Sequence, residues 1–285
     1  MIGRTLAIAL LALAALPLNQ TEGQGWQRWQ RWSTPPAPTA PALANTSFTF
    51  CRIQYSSSNR GRWRNWGGWA TDYPESDLNF SLRLSQLTAL EVNTTAAGTP
   101  AHAVVRLDDP QLFNFPFVYM VEIGSLALTP PEREGLRTYL LRGGFLLVDD
   151  FWGDRAWDNL EYELSQVLPP ADYPIVDIPL DHELFSIVFR LDEVPQVPGL
   201  SNFDHWTSTG QSFEGHPERY RRYGTGARCM GIFDQEGRLM VVAMHNTDLG
   251  DGWEREGEHY GYFEEFSAKK AYPMGINIAV YALTH

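Results

Sequence analysis

The chain has 285 residues, with 22 Lys+Arg against 34 Asp+Glu, a formal net charge of -12 and 44% hydrophobic residues. That length suits one large domain or two small ones, and the apolar fraction is enough for a packed core. The acidic balance argues against a duplex nucleic-acid binder, which needs a basic face, and two Cys exclude a disulfide scaffold and the commoner zinc modules.

Residues 1–25 read as a signal segment: Arg4 gives the positive start, and Leu6 to Leu18 is an apolar run too short to span a bilayer. Cleavage is expected between Asn19 and Gly25, the alternative being an uncleaved anchor. Removal takes one Arg and one Glu, so the charge of -12 survives. The mature protein is then exported, to the periplasm or the outside, and touches membrane only through this segment. Residues 26–46 read as a linker, first WQRWQRW and then a Pro/Ala/Thr-rich stretch.

Residues 47–285 alternate strand and helix. Phe48–Tyr55 has period-two apolar residues and predicts a strand, followed by a long loop over 56–74. Leu78, Leu82, Phe80, Leu84 and Leu87 predict a helix over 74–90, and short strands are expected at 90–93 and 103–107. Phe117–Ile123 is a near-continuous apolar run, as in a strand buried on both faces. Thr129 and Glu132 form a capping box with Pro at the first helical position; that helix is expected to end at Gly143-Gly144. Phe145–Asp149 predicts another buried strand, and Asp154 a cap for a helix reaching Val167. Residues 172–228 read mostly as insertion and loop, with one short element near 182–185. A hairpin is expected from 230–234 and 238–244, then a final helix over 267–283. The fold class is therefore α/β, one doubly wound and mainly parallel sheet with helices on both faces.

In such sheets ligands bind beyond the carboxyl ends of the strands. The segments predicted to lie there carry Trp63, Trp66, Trp69, Asp72, Tyr73, Glu122, Asp149, Asp150, Trp152, His245, Asn246, Asp248 and Trp253. Trp faces and carboxylates together suit a carbohydrate or peptidoglycan fragment, and two carboxylates can hydrolyse glycosides. Asp149, Asp150, Asp248 and His245 are the candidate set for a hard divalent cation. Nucleophilic catalysis finds no support, because the turn after Phe145–Asp149 has neither Ser nor Cys. Cys51 lies inside the first predicted strand and Cys229 at the start of the hairpin, to pack or to pair with each other. A structural module whose edge residues only pin loops stays open beside these readings.

Several runs, in order, resemble the bacterial family named domain of unknown function 4159: Phe48-x-Phe-x-Arg-x-x-Tyr55, Trp69-Ala-Thr-Asp-Tyr-Pro74, Leu107-Asp-Asp-Pro-x-Leu-Phe113, Leu141-Arg-Gly-Gly-Phe-Leu146 with Asp149-Asp150, Asp248-Leu-Gly-Asp-Gly-Trp253, Tyr272-x-x-Gly-Ile-Asn-Ile278 and Tyr281-Ala-Leu-Thr284. The resemblance implies a flavodoxin-like sandwich similar to the class I glutamine amidotransferases. It also implies members that are exported, or form soluble parts of membrane proteins, beside MoxR-type ATPases and von Willebrand-type proteins. Amidotransferases carry a Cys on a strand-to-helix elbow; Asp149-Asp150 stands at the corresponding place here, which implies that glutaminase chemistry is absent. The expectation is an exported domain that binds an envelope ligand or protein partner at its Trp/Asp edge without catalysis; a metal-assisted or two-carboxylate hydrolase of envelope saccharides is the alternative.

Overall fold

The computed structural model describes residues 47–58 and 68–285. The signal segment, the linker, Trp63 and Trp66 lie outside the described residues. In chain order the elements are β1 (Phe50–Ile53), α1 (Glu75–Leu87), β2 (His102–Val105), β3 (Phe117–Val121), α2 (Pro130–Leu141), β4 (Phe145–Phe151), α3 (Gly153–Val167), β5 (Val176–Asp177), α4 (Phe203–Thr209), β6 (Arg228–Phe233), β7 (Leu239–His245), α5 (Leu249–Glu254), the single turn α6 (Tyr260–Tyr262) and α7 (Tyr272–Thr284).

The strands form one seven-stranded sheet in the order β2-β1-β3-β4-β7-β6-β5. Pairings from β2 through β7 are parallel, and β6 and β5 add antiparallel strands at one edge. Successive strand residues point to opposite faces, so each face has its own core. Val118, Met120, Leu146 and Val148 pack with Leu136 and Leu140 of α2 and Leu160 and Leu164 of α3. Phe117, Tyr119, Phe145 and Leu147 pack with Phe80 of α1, Trp253 of α5 and Ile276 of α7. Burial on both faces is why β3 and the first four residues of β4 read as unbroken apolar runs.

Local chemistry fixes the ends as the sequence predicts at several points. Thr129 accepts from the Glu132 N–H while the Glu132 carboxylate accepts from the Thr129 N–H, with Pro130 opening α2. Gly143 follows α2 with φ 102, a conformation that carries no Cβ penalty in glycine. The β6–β7 hairpin is present, turning over residues 234–238.

Other expectations are corrected. The stretch 90–93 contributes one bridge, Val92 to Phe48, and no strand. β4 runs to Phe151, and its register against β7 shifts between Val148 and Phe151, where Asp150 takes φ 50. Trp152, not Asp154, is the N-cap of α3. Asp154 sits in the first turn and instead accepts the N–H groups of Arg222 (2.8 Å) and Tyr223 (3.3 Å). The stretch 172–228 adds β5 and α4 beside the short 3-10 turn at Glu183–Phe185. The last helix begins earlier and changes type, a π-helix over Phe263–Ala271 giving way to α7. Pro273 has no N–H for the preceding turn, which breaks a continuous α ladder there. Cys51 and Cys229 are both free and buried, in different cores, so they pack and do not pair.

A buried cation sits in this interior. Arg52 of β1 is fully buried. Its Nε donates to both oxygens of Asp77 at 3.1 Å, and its Nη2 to Asp77 Oδ1 at 2.5 Å and to Ser76 Oγ at 2.8 Å. Nη1 donates to the carbonyls of Trp69 (3.1 Å) and Thr71 (2.7 Å). Burial alone lowers the Arg52 pKa, but Asp77 outweighs it and the net shift is upward. Removing one partner of such a pair strands a buried charge. Asp77→Ala is therefore expected to destabilise the domain by about 3–5 kcal/mol in urea unfolding; a loss below about 1 kcal/mol contradicts this account of Arg52.

Candidate functional site

Among the described residues, four non-glycine positions have left-handed backbone: Asp72 (φ 61), Glu122 (φ 55), Asp150 (φ 50) and Asn246 (φ 59). Glu122 follows β3, Asp150 lies at the end of β4 and Asn246 follows β7, three parallel strands that lie side by side. Asp72 is brought to the same edge by the Arg52 bonds to Trp69 and Thr71. Asp and Asn tolerate this conformation better than most residues, yet each costs of order 1–3 kcal/mol, and such strain concentrates where side chains must be aimed.

The carboxylates converge around two glycines. Gly250 donates its N–H to Asp149 Oδ2 at 2.9 Å, and Tyr119 Oη donates to the same oxygen at 3.1 Å. A Cβ on Gly250 would sit 2.6 Å from Asp72 Oδ2, 2.7 Å from Tyr119 Oη and 3.5 Å from Asp248 Oδ1. Only a glycine allows that approach. Gly199 is the second meeting point: a Cβ there would lie 3.0 Å from Glu214 Oε1, 3.4 Å from Asp251 Oδ2 and 3.9 Å from Asp248 Oδ2. Asp248 thus faces both glycines, and it also caps α5 by accepting the Asp251 N–H at 2.7 Å. Oxygens of Asp72, Asp251 and Glu254 lie within 4.8 Å of one another. Asp72 Oδ2 and Asp149 Oδ1 are buried without a hydrogen-bond partner.

Asp72, Asp149, Asp150 and Asp248 therefore share one edge, with Glu122 exposed beside them. The remaining expected residues are placed differently. His245 stacks on Phe151 and Trp157 with ring centroids 5.1 and 5.2 Å away, and its Nε2 pairs with the Gly153 carbonyl at 3.2 Å. Burial pushes its pKa down to about 4, so it is a neutral packed ring. Asn246 accepts the Gly153 N–H at 2.9 Å and donates to the carbonyls of Gly224 and Gly226 at 3.2 and 3.0 Å, pinning a loop. Trp253 is wholly enclosed, 4.6 Å from Phe80 between ring centroids, and offers no stacking face. Trp152 donates its Nε1 to Asp150 Oδ1 at 2.9 Å and so orients that carboxylate. Trp69 and Tyr73 are half-buried neighbours, and Tyr73 Oη pairs with His102 Nε2 at 2.9 Å.

Sequence reading missed Tyr119, Glu214, Asp251 and Glu254. Asp248, Asp251 and Glu254 recur every third residue, a spacing that puts them on one helical face, and this signal was available. Nothing in the sequence links Glu214 to the edge, since it arrives from the long insertion.

A family comparison bears on the whole of this region. Residues 49–283 match the profile of the family described as Domain of unknown function (DUF4159). The chain belongs to the DUF4159 family. No curated protein matches it. Among the described residues of this DUF4159 domain, no helix is long and apolar enough to cross a membrane.

The electrostatics of the DUF4159 edge follow from crowding acids where water is scarce. Burial pushes Asp149 up to about 7, held back by N–H groups of Leu249, Gly250 and Asp150. Burial, then the neighbouring Arg255 pulling down against Asp251 and Glu258 pushing up, leaves Glu254 also at about 7. Asp72, Asp150 and Asp248 are raised well above the carboxylate range, first by burial and then by neighbouring acids: Asp251 and Glu254 beside Asp72, Glu122 and Asp72 beside Asp150, and Asp150 and Asp72 beside Asp248. A carboxyl raised in the folded state stabilises it fully below the unfolded pKa of about 4, and that contribution disappears as pH rises through the folded pKa. The ligand-free domain is expected to lose thermal stability between pH 5 and about 7.5, and Asp149→Asn should flatten that slope. A melting temperature that climbs with pH over this window contradicts the assignment.

Proposed function

We propose that this DUF4159 domain is an exported binding module that takes a positively charged ligand at the carboxyl edge of its sheet, and that binding, not turnover, is its role. The observation that carries this reading is the imbalance of charge. Asp72, Asp149, Asp150, Glu214, Asp248, Asp251 and Glu254 meet there, while Arg52 is committed to Asp77, Arg255 is divided among Asp251, Glu254 and Glu258, and Arg219 stands between Glu122 and Glu214, so acids outnumber the bases. Buried carboxylates without counter-charge are expensive, and a cationic ligand supplies what the fold leaves out. A saccharide platform is less supported, because Trp253 is enclosed and Trp152 is spent on Asp150. Export rests on the apolar run of residues 6–18. The order of the parallel strands, with β1 and β3 diverging at the centre, supports a flavodoxin-like sandwich of the amidotransferase kind. Burial raises the pKa of both Cys51 and Cys229, which suits packing and not nucleophilic attack.

A thermal-shift panel of spermidine, glucosamine and divalent cations on the full chain tests the reading. At least one probe is expected to raise the melting temperature saturably, and Asp150→Asn and Asp248→Asn should remove that rise while leaving the far-UV circular dichroism intact. No stabilisation by any probe at millimolar concentration sinks it.

One observation favours a second reading, a carboxylate hydrolase of envelope saccharides. Asp150 adopts left-handed backbone on the turn from β4 into α3, the place where a strand-to-helix elbow presents a nucleophile. Release of reducing ends from peptidoglycan, abolished by Asp149→Asn or Asp150→Asn, would establish that reading in place of the first.

A further inference from the structure

We propose that the free edge of β5 is a docking site for an extended segment of another protein, one that carries a large apolar side chain and, two residues away, a Lys or Arg. The surface lies between β5 and the second half of α3, apart from the carboxylates at the carboxyl edge, and is independent of what binds there.

β5 ends the sheet, so one of its sides has no neighbouring strand. In its antiparallel pairing with β6, Val176 stands opposite Gly231 and Asp177 opposite Met230, and the Ile178 N–H donates to the Cys229 carbonyl at 2.9 Å. Antiparallel neighbours alternate between pairs that exchange hydrogen bonds and pairs that do not. Ile178 with Cys229 is of the first kind, so Asp177 with Met230 is of the second. The N–H and C=O of Asp177 therefore point outward, away from β6. Such an edge is a template for an added strand, with main-chain bonds giving affinity and side-chain pockets giving specificity.

A cavity of about 240 Å³ opens beside that edge, on the face covered by α3. Leu164 and Leu168 of α3, with Tyr173, Ile175 and Ile232, make it apolar, and Glu161 adds one carboxylate. Residues two apart along a strand share a face. Ile175 packs against the core that holds Leu164 and Leu168, and Asp177 bonds Arg228, whose guanidinium lies over the Trp157 ring of α3 on that same face. On an added strand, the side chain next to Ile175 meets the cavity, and the one two places along meets Asp177.

Charge selects the occupant. Asp177 pairs with Arg228 at 3.1 Å, yet its side chain is 71% exposed and open to a second cation. Glu161 is exposed and has no ion pair among the described residues. Two copies of this chain joined edge to edge would bring their Asp177 carboxylates together, on chains that each carry a net charge of -12. Like charges opposite one another on paired strands are destabilising, and opposite charges stabilising. A basic strand therefore gains where a second copy loses.

The test is fluorescence polarisation of the full chain with a short labelled peptide of Thr that carries one Trp and, two places on, one Arg. One control peptide has Glu in place of the Arg. Another has the Trp and Arg adjacent, which sends them to opposite faces of a strand. Saturable binding of the first peptide is expected, at least about fivefold tighter than of either control, with slowed hydrogen exchange at the Asp177 N–H. Ser165→Trp fills the cavity that Ser165 lines, and Asp177→Lys reverses the charge on the edge. Each should weaken binding of the Arg peptide at least about fivefold. Asp177→Lys should in exchange take up the Glu peptide, a swap that damage to the fold does not produce. No saturable binding of the Arg peptide at millimolar concentration, equal binding of the controls, or undiminished binding in both variants overturns the proposal. Concentration-dependent dimerisation abolished by Ser165→Trp overturns it as well, because a second copy then holds the edge.

Discussion

The burial of Arg52 is the constraint on which the carboxyl edge depends. A guanidinium in the middle of β1, between a Phe-lined core on one side and an aliphatic core on the other, is tolerable only if its donors are filled. Asp77 supplies the counter-charge from the first turn of α1, Ser76 takes one N–H, and the carbonyls of Trp69 and Thr71 take two more. The last two bonds reach into the loop before α1, so satisfying one buried charge also fixes where Asp72 stands. The guanidinium lies 5.0 Å from the centroid of the Tyr119 ring, and Tyr119 in turn holds Asp149. A strand residue far from any solvent thus orients two of the carboxylates at the edge.

The second constraint works against stability. Acids from the ends of β4 and α5, the loop before α1 and the insertion are pressed together with too little positive charge among them. Buried and repelling one another, they bind protons more tightly than ordinary carboxylates. Left-handed backbone at Asp72 and Asp150 adds local strain. A fold selected only for stability would replace these residues with apolar ones, as buried charges seldom outdo well-packed hydrophobic side chains. Their presence at the carboxyl edge of the strands, where α/β sheets generally bind ligands, is what supports the proposed binding role.

What surrounds the cluster is correspondingly rigid. Asn246 ties the end of β7 to the loop at Gly224 and Gly226, and Asp154 ties the start of α3 to Arg222 and Tyr223. The insertion, which has little regular structure, is held to the sheet by such side-chain bonds and delivers Glu214 and the N–H of Gly199 to the edge; that N–H donates to Glu214 Oε1 at 2.7 Å. Long loops tied down this way can present side chains from a packed scaffold.

By itself, the sequence determined the architecture and the edge. Period-two and period-3.6 spacing, the Thr129–Glu132 box and the continuous apolar runs of β3 and β4 are local signals, and local signals survive without knowing the neighbours. The rule that ligands sit beyond strand ends pointed to Asp72, Asp149, Asp150 and Asp248, and the structure places these four along one edge. Which of the polar edge residues face the site and which serve the core was decided only by tertiary packing. His245 and Asp248 are three positions apart, yet one is stacked between aromatic rings and the other faces two glycines. Trp253 and Glu254 are adjacent, one enclosed and one grouped with Asp72 and Asp251. Glu214 reaches the site through a contact with Gly199, across a segment with no periodicity to read. Contact across long sequence separation is set by how helices and loops dock on the sheet, and that information is held jointly by all the residues that pack.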